Sequence, residues 1–200
     1  MGESTSYSAS YLRRQLQRGS LRRAVRSLYL RHQASLAVGA ALDMGCGPGQ
    51  LLSRLPTGSK GLEVNRAAVQ HAREKGLDVD AYDPDTDRYQ LRSVSAGRFG
   101  TLIMSHVLEH LAAPEEAIRG LAASALRLGM RRLVFIVPGL KGYRSDDTHL
   151  TFIDLAYLRE RHLLELEGWV CSGWHYFPIN VRWIGRYFTH HELTVIYDRA

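Results

Sequence analysis

Leu42-Asp43-Met44-Gly45-Cys46-Gly47-Pro48-Gly49 sets three glycines, each separated by one residue, directly after a short apolar run. A turn of that kind between a strand and a helix folds the main chain tightly and lets a nucleotide-sized ligand lie against bare backbone at the helix start. Glu63 closes the next apolar run, fourteen positions after Gly49. From there a carboxylate can accept both ribose hydroxyls, with Val64 beside it. Asp80, Tyr82 and Asp83 end the third run, where they could meet a base. A second set of reactive groups is built on histidine. Ser105 and His106 end the fourth run within Met104-Ser105-His106-Val107-Leu108-Glu109-His110-Leu111, and His149 closes the loop at residues 138–149 after the fifth. Imidazole titrates near working pH, so His149, and after it His106, can take the proton from an attacking hydroxyl. His149 can equally serve only to pin its loop. Residues 106–110 also read as His-x-x-Glu-His, an inverted zinc-peptidase signature. That signature needs to lie inside a helix with a further ligand downstream, whereas here it starts at a strand end.

The elements that must position these groups are short. Apolar runs at 40–44, 61–64, 77–80, 101–105 and 133–137 predict strands buried on both faces. Between them, Asn65 caps a helix over 66–75 that Gly76 stops, and another helix follows Pro114, where Glu115 and Glu116 suit the positive end of the dipole. A helix over 154–167 and strands at 168–176 and 192–197 complete the chain, the last two as an antiparallel pair at the sheet edge. The alternation predicts an α/β, Rossmann-like, mostly parallel sheet of about seven strands, with helices on both faces and the last strand antiparallel. The loop at 138–149 lies at the carboxyl end of such a sheet, where ligands bind, and its two glycines suit a movable wall. Trp169, Trp174, Tyr176, Phe177, Trp183, Tyr187 and Phe188 crowd the last third, chiefly as packing.

With 200 residues, 45% of them hydrophobic, the chain is one domain's worth of core. No run reaches the length of a membrane span and the N-terminus lacks a signal-peptide layout, so the cytosol is the expected compartment, with a peripheral membrane contact left open. Cys46 and Cys171 have no paired spacing and are expected to be reduced thiols. The net charge of +6 is local: residues 1–40 hold seven arginines (13, 14, 18, 22, 23, 26 and 31) against Glu3 alone, and the other 160 residues balance 19 basic against 19 acidic groups. This divides the chain into a basic helical arm, 1–37, and a body, 38–200. Ser20 caps the arm's helix, with Leu21, Val25 and Leu28 on one face and Arg22, Arg23 and Arg26 over the other. Such a helix lids the body, and its charge attracts phosphate, anionic lipid, RNA or an acidic partner.

From about residue 40 onward the chain resembles the class I S-adenosylmethionine-dependent methyltransferases. Residues 42–49 look like their first motif, which implies that Asp43, Gly45, Cys46, Gly47 and Gly49 hold the methionine part of S-adenosylmethionine. Glu63 matches their ribose-binding acid, though many relatives carry Asp there, and Asp83 matches the acid that contacts the adenine amino group. Residues 104–111 resemble the fourth-strand motif of the small-molecule branch that includes ubiquinone-type O-methyltransferases, placing Ser105 and His106 beside the cofactor. Gly100 stands where this branch often has Asp. The glycine spacing disfavours a hydride-transferring dinucleotide enzyme, whose fingerprint has two residues between its last glycines. The small-RNA 3'-terminal 2'-O-methyltransferases hold a divalent ion with a Glu-x-x-Glu-His segment and a later His. Glu109, His110 and His149 fit three of those ligands, but His106 replaces the first glutamate, so no metal is expected. The resemblance implies methyl transfer to an oxygen of a small-molecule, glycan or lipid acceptor, with few catalytic side chains needed, since the cofactor supplies the reactive carbon. The alternatives are an RNA methyltransferase that uses the basic arm, and a cofactor-binding scaffold without transfer activity.

Overall fold

The computed structural model describes the backbone of residues 20–200 and the side chains of residues 26–200. Strands β1 (Ala41–Met44), β2 (Lys60–Glu63), β3 (Val79–Ala81), β4 (Thr101–Ser105), β5 (Arg132–Pro138), β6 (Trp169–Phe177) and β7 (Glu192–Arg199) form one sheet in the order β3-β2-β1-β4-β5-β7-β6. The first five pair in parallel, and β7 runs antiparallel to both β5 and β6. The mostly parallel sheet with an antiparallel last strand is therefore present as expected.

Both faces of the central strands are covered, which is why they read as continuous apolar runs. Leu42, Met44, Leu102, Met104, Leu133 and Phe135 face the larger cluster, packed under helix α4 (Pro114–Arg127). The alternate residues Ala41, Ile103, Val134 and Ile136 face a smaller cluster closed by Leu51 and by Leu30 of helix α1 (Ser20–Ser35). Helix α1 does lie over the sheet, but with a different roll from the expected one. It buries Tyr29, Leu30 and Gln33 and leaves Leu28 56% exposed. Hydrogen bonds from Tyr29 Oη to the His190 carbonyl and from Gln33 Nε2 to Glu192 Oε2 fix that roll. The expected positions of the Leu21, Val25, Arg22 and Arg23 side chains lie outside the described residues.

Helix α2 (Arg66–Glu74) starts where Asn65 Oδ1 accepts from the Ala67 and Ala68 amides and ends at Gly76 as expected. Its stop uses the Leu77 amide on the Ala72 carbonyl, so Leu77 belongs to the helix end and β3 begins later than its apolar run. A one-turn helix, α3 (Pro84–Asp87), follows β3, and another, α5 (Leu140–Tyr143), lies in the loop after β5. Helix α6 (Leu155–Glu160) is shorter than the expected 154–167. The His162 amide bonds the Arg159 carbonyl and the Leu163 amide bonds that of Leu158, with His162 itself at φ 52°. This is the same stop as in α2, made with a histidine where glycine is usual. No helix among the described residues is long and apolar enough to cross a membrane.

Candidate active site

The chain's strand order reverses between β1 and β4, and the crevice outside the carboxyl ends of strands at such a point is where open α/β sheets bind ligands. A cavity of about 1520 Å³ opens there, lined by the ends of β1, β2, β4 and β5, the start of β7 and the underside of α1. Single-ligand pockets span roughly 300–1,000 Å³, so this one has room for two reactants.

One end is made of backbone and carboxylates. Gly45 has φ 71°, and a Cβ there would lie 2.4 Å from Val107 Cγ2, so only glycine allows the turn to pass this close to the β4 exit. The Gly47 amide donates to Glu63 Oε2 (2.7 Å) and the Asn65 amide to Glu63 Oε1 (2.8 Å). Glu63 therefore ties the glycine turn to the start of α2, while each oxygen keeps a second lone pair for a ligand hydroxyl. Asp43 is buried, and its Oδ2 has no hydrogen-bond partner among the described residues. Burial, then the nearby Glu63, pushes its pKa up to about 7; burial raises that of Glu63 as well, against the amides that it accepts from. Two desolvated carboxylates beside bare backbone suit a cationic ligand with sugar hydroxyls, so the residues present fit a sulfonium nucleoside. Cys46, Val64, Asp83, Ser105 and His106 also line the cavity. Asp83 is exposed and caps α3, accepting from the amides of Asp85 (3.0 Å) and Thr86 (3.4 Å). Gly49 has φ 78°, and a Cβ there would meet Leu77 Cδ1 at 2.3 Å, so its glycine also serves the packing of the turn on the α2–β3 connection.

The other end is made of imidazoles and carboxylates. His106, at φ 56°, places Nε2 2.8 Å from Glu192 Oε1 and Nδ1 3.3 Å from Glu109 Oε1. Burial alone would lower its pKa, but the two carboxylates outweigh it and raise it to about 10. Burial raises Glu192, yet His106 brings it below the usual carboxylate range. The pair is thus an imidazolium held by carboxylates, which leaves His106 unable to accept a proton from a substrate. His110 and His149 are arranged differently. The Nδ1 of His110 donates to the Thr148 carbonyl (3.2 Å) and that of His149 to the Tyr143 carbonyl (2.7 Å). A carbonyl only accepts, so in the neutral rings Nε2 presents its lone pair. His149 Nε2 lies 4.0 Å from Glu109 Oε1, and one ligand atom from each of Glu109, His110 and His149 falls within 4.8 Å of the others. Glu109 is buried; its Oε1 is paired with His106, and its Oε2 has no hydrogen-bond partner among the described residues. Residues 108–110 form a 3-10 turn, not the helix a zinc peptidase needs, and His106 points to Glu192 rather than to this cluster.

Tyr29, Gln33 and Glu192 also line the cavity and were not expected there. Tyr29 and Gln33 sit in a helix that reads as a basic arm, and Glu192 reaches His106 across 86 positions of sequence, a pairing that only the β5–β7 register creates.

The chain matches the family described as "Methyltransferase domain" over residues 9–200. A ubiquinone biosynthesis O-methyltransferase of Nitrosococcus oceani is 34% identical over 97 residues, covering 45% of this chain and 40% of the relative, so the match spans less than half of that protein. A solved SAM-dependent methyltransferase from Archaeoglobus fulgidus aligns with a TM-score of 0.66 at 17% identity, over 96% of this chain and 100% of that one. Magnesium protoporphyrin IX methyltransferase from Synechocystis, solved with bound SAH, aligns with a TM-score of 0.64 at 15% identity, over 98% and 96%. At these identities the two structures establish the shared fold.

Proposed function

Because the chain belongs to this methyltransferase-domain family and is a class I S-adenosylmethionine-dependent methyltransferase, we propose that it methylates an oxygen of a small-molecule, glycan or lipid acceptor. The observation that carries this reading is the division of one cavity into an end with desolvated carboxylates and bare backbone and an end with lone-pair imidazoles. When bound, the cofactor supplies a sulfonium-activated methyl carbon. Asp43 and the turn at Gly45, Cys46 and Gly47 hold its amino-acid portion. Glu63 accepts the ribose hydroxyls, with Val64 beside it, and Asp83 takes the base end. Ser105 lines the wall between the donor and acceptor ends. His149 faces the acceptor and receives its hydroxyl proton at Nε2, while its Nδ1–H is anchored on Tyr143. His106 positions Glu109 and Glu192 and takes no proton itself.

The grouping of Glu109, His110 and His149 within 4.8 Å favours a second reading, in which these three would hold a divalent cation and His149 Nε2, as a ligand, would no longer serve as the base. Both histidines already carry the backbone-carbonyl bond on the remote nitrogen that typically orients metal-ligating imidazoles. A cation there would polarise the acceptor oxygen. Incubating the protein with cell extract and isotope-labelled methyl donor, followed by mass spectrometry, tests the function. A labelled oxygen-linked methyl group supports it, and label confined to nitrogen or carbon, or none, counts against it.

A further inference from the structure

Beyond the end of β4, three side chains of the cavity wall offer hydrogen-bond acceptors. The Nδ1 of His110 faces the Thr148 carbonyl (3.2 Å) and Thr148 Oγ1 (3.1 Å). That hydroxyl donates to Asp146 Oδ1 (2.7 Å), which also accepts from the Thr148 amide (3.0 Å). Both groups facing Nδ1 therefore accept, which keeps the proton of the neutral ring on Nδ1 and the lone pair on Nε2. His149 reaches the same state through the Tyr143 carbonyl (2.7 Å), with the Tyr143 ring stacked on it. Glu109 is the third: its Oε1 is paired with His106, and its Oε2 has no hydrogen-bond partner among the described residues. The wall is braced. The Glu109 carbonyl accepts from the Leu150 (2.7 Å) and Thr151 (3.1 Å) amides, which ties the loop that carries His149 to the turn that carries His110. Acceptors gathered at a braced wall are costly to leave unmatched, so the ligand there must supply donors.

A divalent cation and a pair of hydroxyls both meet that demand. The His106 imidazolium, with Nδ1 3.3 Å from Glu109 Oε1, already supplies one cation to this carboxylate and repels a second. Neutral hydroxyls carry no such cost. A hydroxyl donates one hydrogen bond, so a single one leaves the wall unsatisfied. Glu109 Oε1 and His149 Nε2 are 4.0 Å apart, and one ligand atom from each of the three residues lies within 4.8 Å of the others, so two hydroxyls on adjacent carbons reach the wall together. The surroundings are polar. The loop after β5 and the segment leading into β7 line the cavity with Gly142, Ser145, Asp146, Thr148, Thr189 and His190. A Cβ at Gly142 would lie 2.7 Å from the Thr189 carbonyl, so these two segments meet. None of the six brings an apolar side chain, whereas a pocket for an aromatic ring or a lipid is lined chiefly by apolar groups. We propose that the acceptor is a sugar with hydroxyls on adjacent carbons, one methylated beside His149 and its neighbour held by His110 and Glu109. This rests on the oxygen-methylation reading above and narrows its acceptor class. The reacting oxygen bonds to the methyl carbon as the carbon–sulfur bond breaks. The electron pair of that bond stays on sulfur, and the hydroxyl proton passes to His149 Nε2.

The test incubates the full chain with cell extract and trideuteromethyl-labelled S-adenosylmethionine, then hydrolyses the product and analyses its sugars by mass spectrometry. Label is expected in a mono-O-methyl sugar with a free hydroxyl on the carbon next to the methylated one. Label on a phenol, a carboxylate or a lipid alcohol overturns the proposal and leaves oxygen methylation standing. Label on nitrogen or carbon, or none, removes both. With the corresponding unmethylated sugar as acceptor, His110→Ala should raise KM about tenfold, as for one lost hydrogen bond, at unchanged S-adenosylhomocysteine affinity. A melting temperature establishes that the variant is folded. An unchanged KM overturns the role given to the second hydroxyl, and so does full activity on the same sugar deoxygenated at that position. Loss of activity in EDTA, restored by a divalent ion, overturns the proposal in favour of the cation.

Discussion

The two ends of the cavity are built on different principles. At the end formed by β1 and β2, the contacts are main-chain amides and two carboxylates within 21 residues of sequence, Asp43 to Glu63, fixed by a glycine turn that no side chain could replace. At the end formed by β4, β5 and β7, the groups come from far apart: His106, Glu109 and His110, then His149, then Glu192. On the proposed reading the first end holds the methyl donor, so a local and rigid solution serves. The second end, assigned here to the acceptor, depends on loops and an antiparallel strand that can vary without disturbing the first.

If the two ends are separable, mutations will sort by readout. The largest effect is expected from His149→Ala, which should lower methyl transfer about 10²–10⁴-fold in a labelled-methyl assay while leaving S-adenosylhomocysteine affinity nearly unchanged. An equal loss in both would merge the two ends. His106→Ala should be the main cost to folding. It leaves Glu109 and Glu192 buried without their shared cation, and breaking a buried pair in this way costs about 3–5 kcal/mol, measurable by urea denaturation.

The sequence made the first end legible because turn, acid and strand are contiguous there, and the glycines report close backbone contacts. Even so, Gly49 shows the limit of that signal. Glycine at that position answers to its φ of 78° and to packing near Leu77, and a motif does not separate such backbone demands from those of a ligand. The second end was legible only in part. His106 and His149 stood out as reactive types, but their roles diverge because Glu192 claims His106, and that partner arrives through strand register. Helix α1 was visible as an amphipathic helix, whereas its roll is set by Tyr29 and Gln33 bonding to residues near the C-terminus. The early stop of α6 was hidden because His162 takes the left-handed position that glycine normally announces.

A smaller effect should follow pH. The folded pKa of Asp43, about 7, lies above its ordinary 3.8, so the native state holds an extra proton between those values. Stability without ligand should therefore fall as pH rises across that window. A sulfonium cation favours the ionised carboxylate, so cofactor affinity should rise over the same range. Thermal melts and titrations at several pH values check both, and parallel trends would mean that Asp43 does not face the cation. The smallest effect is expected from Asp83→Ala. Loss of the α3 cap costs about 1 kcal/mol, read as a small drop in melting temperature. A drop in cofactor affinity beside it would support the assignment of Asp83 to the base end.

The central claim is that Glu63 and the turn at Gly45–Gly47 grip a sulfonium nucleoside, and calorimetric titration with S-adenosylmethionine or S-adenosylhomocysteine tests it most directly, on the wild type and on Glu63→Ala. The wild type should bind one molecule per chain, and the variant should bind about 100-fold more weakly or worse, as expected for two hydrogen bonds to a charged group. No heat from the wild type, or equal affinity in the variant, would contradict the account.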